Sequence, residues 1–141
     1  LFDTIKKFDG VPVKTIGDAV MGVFVNSVSA VQAALEAQKA LIAHYESKPA
    51  NERIEVKIGL HCGPALVVTL NNRLDYFGST VNTAARIQDK ALPNEVVISQ
   101  TLFDDPQIRQ QISAVTDRVQ RQNTEFKGLE GAFSIYHIPM C

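Results

Sequence analysis

The chain has 141 residues, 45% of them hydrophobic and 21% charged, with a formal net charge of -1. That is one domain of ordinary soluble composition, residues 1–141, long enough to bury a core. The charge balance gives no support to a nucleic-acid or membrane surface, and no apolar run approaches the roughly 20 residues of a bilayer span. The two cysteines, Cys62 and Cys141, make no disulfide framework and fit a reducing compartment.

Leu1 to Phe8 has apolar residues at helical spacing and reads as the end of a helix, closed by Asp9-Gly10. With Leu rather than Met at position 1, the chain is expected to be a piece of a longer protein. Val11 to Ile16 and Ala19 to Val25 are β-rich runs separated by Gly17-Asp18, a hairpin signal. The longest helix follows, capped by Asn26 or Ser27, with Val31, Ala34, Leu35, Gln38, Ile42 and Tyr45 on one stripe. Ile54 to His61 alternates strictly, which predicts a strand with one buried face. Cys62-Gly63-Pro64 breaks it. Ala65 to Leu70 and Arg73 to Phe77 then form a second hairpin around Asn71-Asn72. A helix over Ser79 to Lys90 and a strand over Glu95 to Ser99 come next. Short helices over Thr101 to Ser113, interrupted at Pro106, precede a polar edge-like strand, Arg118 to Lys127, and a last strand, Phe133 to Ile138. The order predicts an α+β sheet with helices on one face, the other face left to build a cleft or a dimer surface.

The chemistry-bearing residues are few. Asn82 and Arg86 lie at i and i+4, so an amide and a guanidinium share one helix face. Gly78 and Ser79 stand at the helix start and Asp75 just before. The set suits a polar, anionic ligand, and equally the solvated side of a helix whose Val81, Ala84, Ala85 and Ile87 pack inward. Asp18, in a two-residue turn, is either a turn former or a carboxylate ligand for Mg²⁺. Lys14, in a run otherwise apolar or small, either guards an edge strand or donates to a purine ring. Lys127 by itself is a surface lysine, and His61 with Cys62 has no partners at metal-ligand spacing. There is no G-x-x-x-x-G-K-[ST] loop and no G-x-S-x-G elbow.

These signals fall together in one pattern. V-K-T-I-G-D-A-V-M-G-V-F, I-E-V-K-I-G-L-H-C-G-P, L-D-Y-F-G-S-T-V-N-T-A-A-R-I and F-K-G-L followed by F-S-I-Y resemble successive segments of the class III nucleotidyl cyclases. The resemblance implies a ferredoxin-like (βαββαβ) core lacking its first strand. It implies that Asp18 is one of two metal aspartates for Mg²⁺ or Mn²⁺. Lys14 and Asp75 would read the adenine edge, Asn82 would orient the ribose, Arg86 would stabilise the reacting phosphate, and Lys127 would contact the triphosphate. A glutamate at the Lys14 position would instead suggest guanine. The implied activity is conversion of ATP to cyclic AMP and pyrophosphate in the cytoplasm, in a head-to-tail homodimer whose sites draw on both chains. In the family the first metal aspartate lies on a strand that would precede Leu1, so this piece is expected to be inactive alone. Pro64 stands where some members carry a triphosphate-binding arginine. Two other readings stay open: a guanylate cyclase, and a non-catalytic cyclase-like module that binds nucleotide or only dimerises.

Overall fold

Three sheets and five helices are built by the residues described in a computed structural model: 2–16, 19–63, 66–70, 73–126 and 131–140. Helix α1 (Phe2–Lys7) leads into the antiparallel hairpin β1 (Val11–Ile16) and β2 (Ala19–Val23), with Ile16 opposite Ala19. Helix α2 (Ser27–Tyr45) starts at Asn26, whose Oδ1 accepts the amides of Val28 at 2.9 Å and Ser29 at 3.2 Å. That satisfies two of the donors a helix start leaves unpaired. Its first three turns carry the predicted stripe, with Val31, Ala34, Leu35 and Gln38 buried; Ile42 and Tyr45 are only half-buried.

Strands β3 (Ile58–Leu60), β6 (Glu95–Ser99), β8 (Ala132–Pro139) and β7 (Gln120–Glu125) form a sheet in the order β3-β6-β8-β7. β3 and β6 are parallel; the other two pairings are antiparallel. A second hairpin joins β4 (Leu66–Leu70) to β5 (Arg73–Phe77), with Leu70 opposite Arg73. Helix α3 (Ser79–Lys90) follows β5 directly, and α4 (Gln100–Phe103) and α5 (Pro106–Ser113) follow β6. Asp105 caps α5, its carboxylate accepting the Gln107 amide at 2.9 Å ahead of a Pro at the first helical position. Residues 17–18 and 71–72, the expected turns, lie outside the described residues.

The α+β class is as expected; the placement of helices is not. Successive residues of a strand point to opposite faces. Val96 and Ile98 meet α2, α4 and α5 on one face of the sheet, with Leu102, Ile108 and Ile112. Val97 meets α3 on the other, with Ile87, Ala91, Phe126 and Ile135. Helices therefore cover both faces, and β6 is buried along its whole length.

The strand expected over Ile54 to His61 is shorter. β3 pairs with β6 only from Ile58 to Leu60, and Ile54 is 59% exposed. The Arg53 guanidinium donates to the carbonyls of Glu46 at 2.9 Å and Lys48 at 2.8 Å, tying this stretch back to the end of α2 before it reaches the sheet. A 3₁₀ turn over Ala50–Glu52, absent from the sequence reading, fills the link.

Candidate functional site

The site follows from one sharp junction. β5 ends at Phe77, Gly78 adopts φ 126° and ψ -179°, and α3 begins at Ser79. That positive φ lies where L side chains are strained, so glycine is what lets the strand turn straight into a helix. The Asn82 amide bonds to the Gly78 carbonyl at 3.1 Å, which closes the first turn. Asp75 on β5 and Asn82 on α3 are thereby held seven residues apart across a fixed corner.

Along α3, Thr83 and Ile87 are buried, with Ala91 just beyond, and set the inward stripe. The packing set expected from the sequence is corrected on this point: Ala85 is exposed, and Val81 and Ala84 are half-buried. Asn82 and Arg86 flank the stripe one turn apart, about 6 Å along the axis, Asn82 exposed and Arg86 half-buried. They do share a face, as i and i+4 must.

β1 lies beside β5, so the two strands carrying Lys14 and Asp75 are neighbours. Lys14 sits opposite Met21 in the first hairpin, next to an irregularity after Pro12; Asp75 sits opposite Val68 in the second. The side chains of Lys14 and Asp75 lie outside the described parts, as do Asp18, Pro64 and Lys127 entirely. The structure thus brings together the helix of Asn82 and Arg86 and the strands of Lys14 and Asp75. Among the described residues, no group of three or more His, Cys, Asp or Glu could hold a metal ion.

His61 stands just past the end of β3, as expected. Its Nδ1 lies 2.8 Å from the Ser99 hydroxyl, and burial holds its pKa below the ordinary value. Burial pushes the neighbouring Cys62 thiol up, partly offset by a hydrogen bond with Ser27. A second polar cluster went unseen in the sequence. His137 contacts the Glu95 carboxylate through Nδ1 at 2.8 Å and Gln122 through Nε2 at 2.7 Å. Its members come from three strands, and only the sheet order β6-β8-β7 juxtaposes them.

A family model described as the adenylate and guanylate cyclase catalytic domain matches residues 1–139. The chain belongs to that family. Two curated relatives differ in the nucleotide their names give. A putative adenylate cyclase 3 of Rhizobium meliloti is 34% identical over 91 residues, 64% of this chain and 15% of the relative. The human guanylate cyclase soluble subunit beta-2 is 38% identical over 55 residues, 37% of this chain and 9% of the relative. This cyclase chain therefore spans a small part of those relatives. Among solved structures, the catalytic core of a rhodopsin-guanylyl cyclase with converted specificity, in complex with ATPαS, superposes with a TM-score of 0.73, at 28% identity, covering 98% of this chain and 75% of the other. Cyclase domains of this family form cyclic nucleotides and generally use divalent metals. No helix among the described residues is long and apolar enough to cross a membrane.

Proposed function

We propose that this cyclase domain serves an adenylate cyclase, converting ATP to 3′,5′-cyclic AMP and pyrophosphate. The observation that carries the reading is the corner at Gly78. It follows the Asp75 strand with the helix of Asn82 and Arg86, while the Lys14 strand lies alongside. Lys14 can donate to an adenine ring nitrogen and Asp75 can accept from its exocyclic amine. A site that hydrogen-bonds a substrate edge discriminates strongly, because the wrong edge leaves buried polar groups unpaired.

In the reaction the ribose 3′-oxygen loses its proton and bonds to the α-phosphorus, while the bond to the β-phosphate oxygen breaks and pyrophosphate leaves. Asn82 orients the ribose. The Arg86 guanidinium supplies fixed positive charge to the α-phosphate oxygens as charge shifts toward the leaving group. Lys127 contacts the triphosphate. Asp18 would hold Mg²⁺ or Mn²⁺, hard cations that take carboxylate oxygen and commonly use one or two carboxylates plus substrate phosphates. Such an ion, when bound, neutralises phosphate charge and makes the 3′-oxygen a better nucleophile. The complete site is composite, formed in a homodimer in the cytoplasm.

The test is an assay of the full-length protein with ATP and with GTP, each with Mg²⁺ and with Mn²⁺. Cyclic AMP is expected to exceed cyclic GMP at least tenfold. Equal or greater cyclic GMP output would replace this reading with the guanylate cyclase one.

A further inference from the structure

We propose that Gly59, with Gly63, sets the height and tilt of α3 above the β3 run and so positions Asn82 and Arg86; the catalytic consequence rests on the cyclase reading of that helix. A Cβ built at Gly59 would stand 2.4 Å from the backbone nitrogen of Gln88, 2.6 Å from its Cα and 2.8 Å from its Cβ. A backbone obstacle cannot swing aside as a side chain can. Strand glycines commonly mark such close backbone approach. The Gln88 side chain also reaches past this point, Nε2 donating to the Lys57 carbonyl at 3.3 Å.

The other end of the helix is seated in the same way. A Cβ at Gly63 would stand 2.7 Å from Oγ1 of Thr80. From Thr80 to Gln88 the helix rises about 12 Å, and from Gly59 to Gly63 an extended chain covers about 13 Å. Gly59 meets Gln88 and Gly63 meets Thr80, so the run from Gly59 to Gly63 passes antiparallel beneath α3 and approaches it at both ends. Asn82 and Arg86 fall between the two contacts. Any lift at either glycine therefore moves the amide and guanidinium together relative to the β1–β5 strands. Both glycines act through α3, at Gln88 and at Thr80.

The experiment compares Gly59→Ala, Gly63→Ala and Thr80→Ala in the full-length protein, with the doubles Gly59→Ala/Gln88→Ala and Gly63→Ala/Thr80→Ala. Gly59→Ala is expected to lower kcat at least tenfold with nucleotide KM changed less than threefold. Gln88→Ala is not expected to restore it, because the obstacle is backbone. Gly63→Ala is expected to lower kcat less, and the Thr80→Ala double to return to the rate of Thr80→Ala alone, because that obstacle is a side chain. A crystal structure of Gly59→Ala, or of Gly63→Ala if the former does not fold, gives a readout without activity. In Gly59→Ala, α3 is expected to move off β3 by about 1 Å, the shortfall of that contact from ordinary van der Waals distance. An unmoved helix, or a moved helix with wild-type kcat, overturns the proposal. If the unmodified protein forms no cyclic nucleotide, the cyclase reading falls, and the helix displacement alone decides whether the glycines seat α3.

Discussion

The two faces of the four-stranded sheet are built on different terms. On one, α2, α4 and α5 press Val31, Leu35, Leu102, Ile108 and Ile112 against Val96, Ile98 and Ile138. On the other, a single helix, α3, brings Ile87 and Ala91 to Val97 and Ile135, and over β3 it rests backbone against backbone at Gly59. Large interdigitating side chains tolerate small rearrangements, since neighbours can repack around a change. Backbone contact has no such slack. The first face contributes most of the apolar burial, and the second fixes where two polar side chains stand.

That contrast can be broken at its sharpest point by Arg86→Ala. The guanidinium acts mainly on charge that develops in the transition state, so kcat should fall on the order of 10²- to 10³-fold. Nucleotide KM and melting temperature should change little. Steady-state kinetics of the full-length variant decide it; a near-normal kcat would assign Arg86 to the solvated flank of α3. On the opposite face, Ile98→Ala should behave inversely. Ile98 is fully buried among α2, α4 and α5. Truncation should cost about 2–5 kcal/mol in denaturant unfolding, with kcat per folded molecule kept. Loss of kcat in the folded fraction would show that the two faces are not separable.

The smallest effect concerns the end of β3. Burial lowers the His61 pKa, so the unfolded chain binds this proton more readily than the folded one. Stability from this group is therefore full above about pH 6.5 and declines as pH falls through that ordinary value toward the lower folded one. His61→Gln should flatten the acid limb of the curve of unfolding free energy against pH. An unchanged limb would place the acid sensitivity elsewhere.

Much of this was legible from the sequence because periodicity reports on burial. The Ser79–Lys90 and Glu95–Ser99 boundaries match their elements, as do those of β1 and β5; β2 ends at Val23, two residues short of the expected Val25, and β4 is described from Leu66. Asn82 and Arg86 were placed on one face by spacing alone. The side of the sheet that α3 takes was not legible. Val96, Val97 and Ile98 are all apolar, and alternation cannot show which helix meets which residue. Strand length failed at Ile54 because apolar alternation continues through Val56 while hydrogen bonding to β6 does not. The positioning role of Gly59 left only a faint sign, a glycine on the supposedly solvated face of an alternating strand.

Gln38 occupies a core position of α2 and is fully buried, yet its amide is not filler. Nε2 donates to the Val56 carbonyl at 2.7 Å, two residues before β3, and to the Glu95 carbonyl at 3.0 Å, at the first residue of β6. A side chain from the helix layer thus bridges the two segments beside the Asn94 amide, which donates to the same Val56 carbonyl at 3.0 Å. Leucine would match its volume and would remove the buried, partnerless Oε1, but both carbonyls would lose that donor, the Val56 carbonyl keeping only the Asn94 amide at 3.0 Å. The amide works as an alignment pin: sliding β3 along β6, or α2 along either, breaks a bond that no apolar contact replaces. The pin therefore ties the helix layer to the parallel pair, and β3 in turn carries Gly59, over which α3 rests.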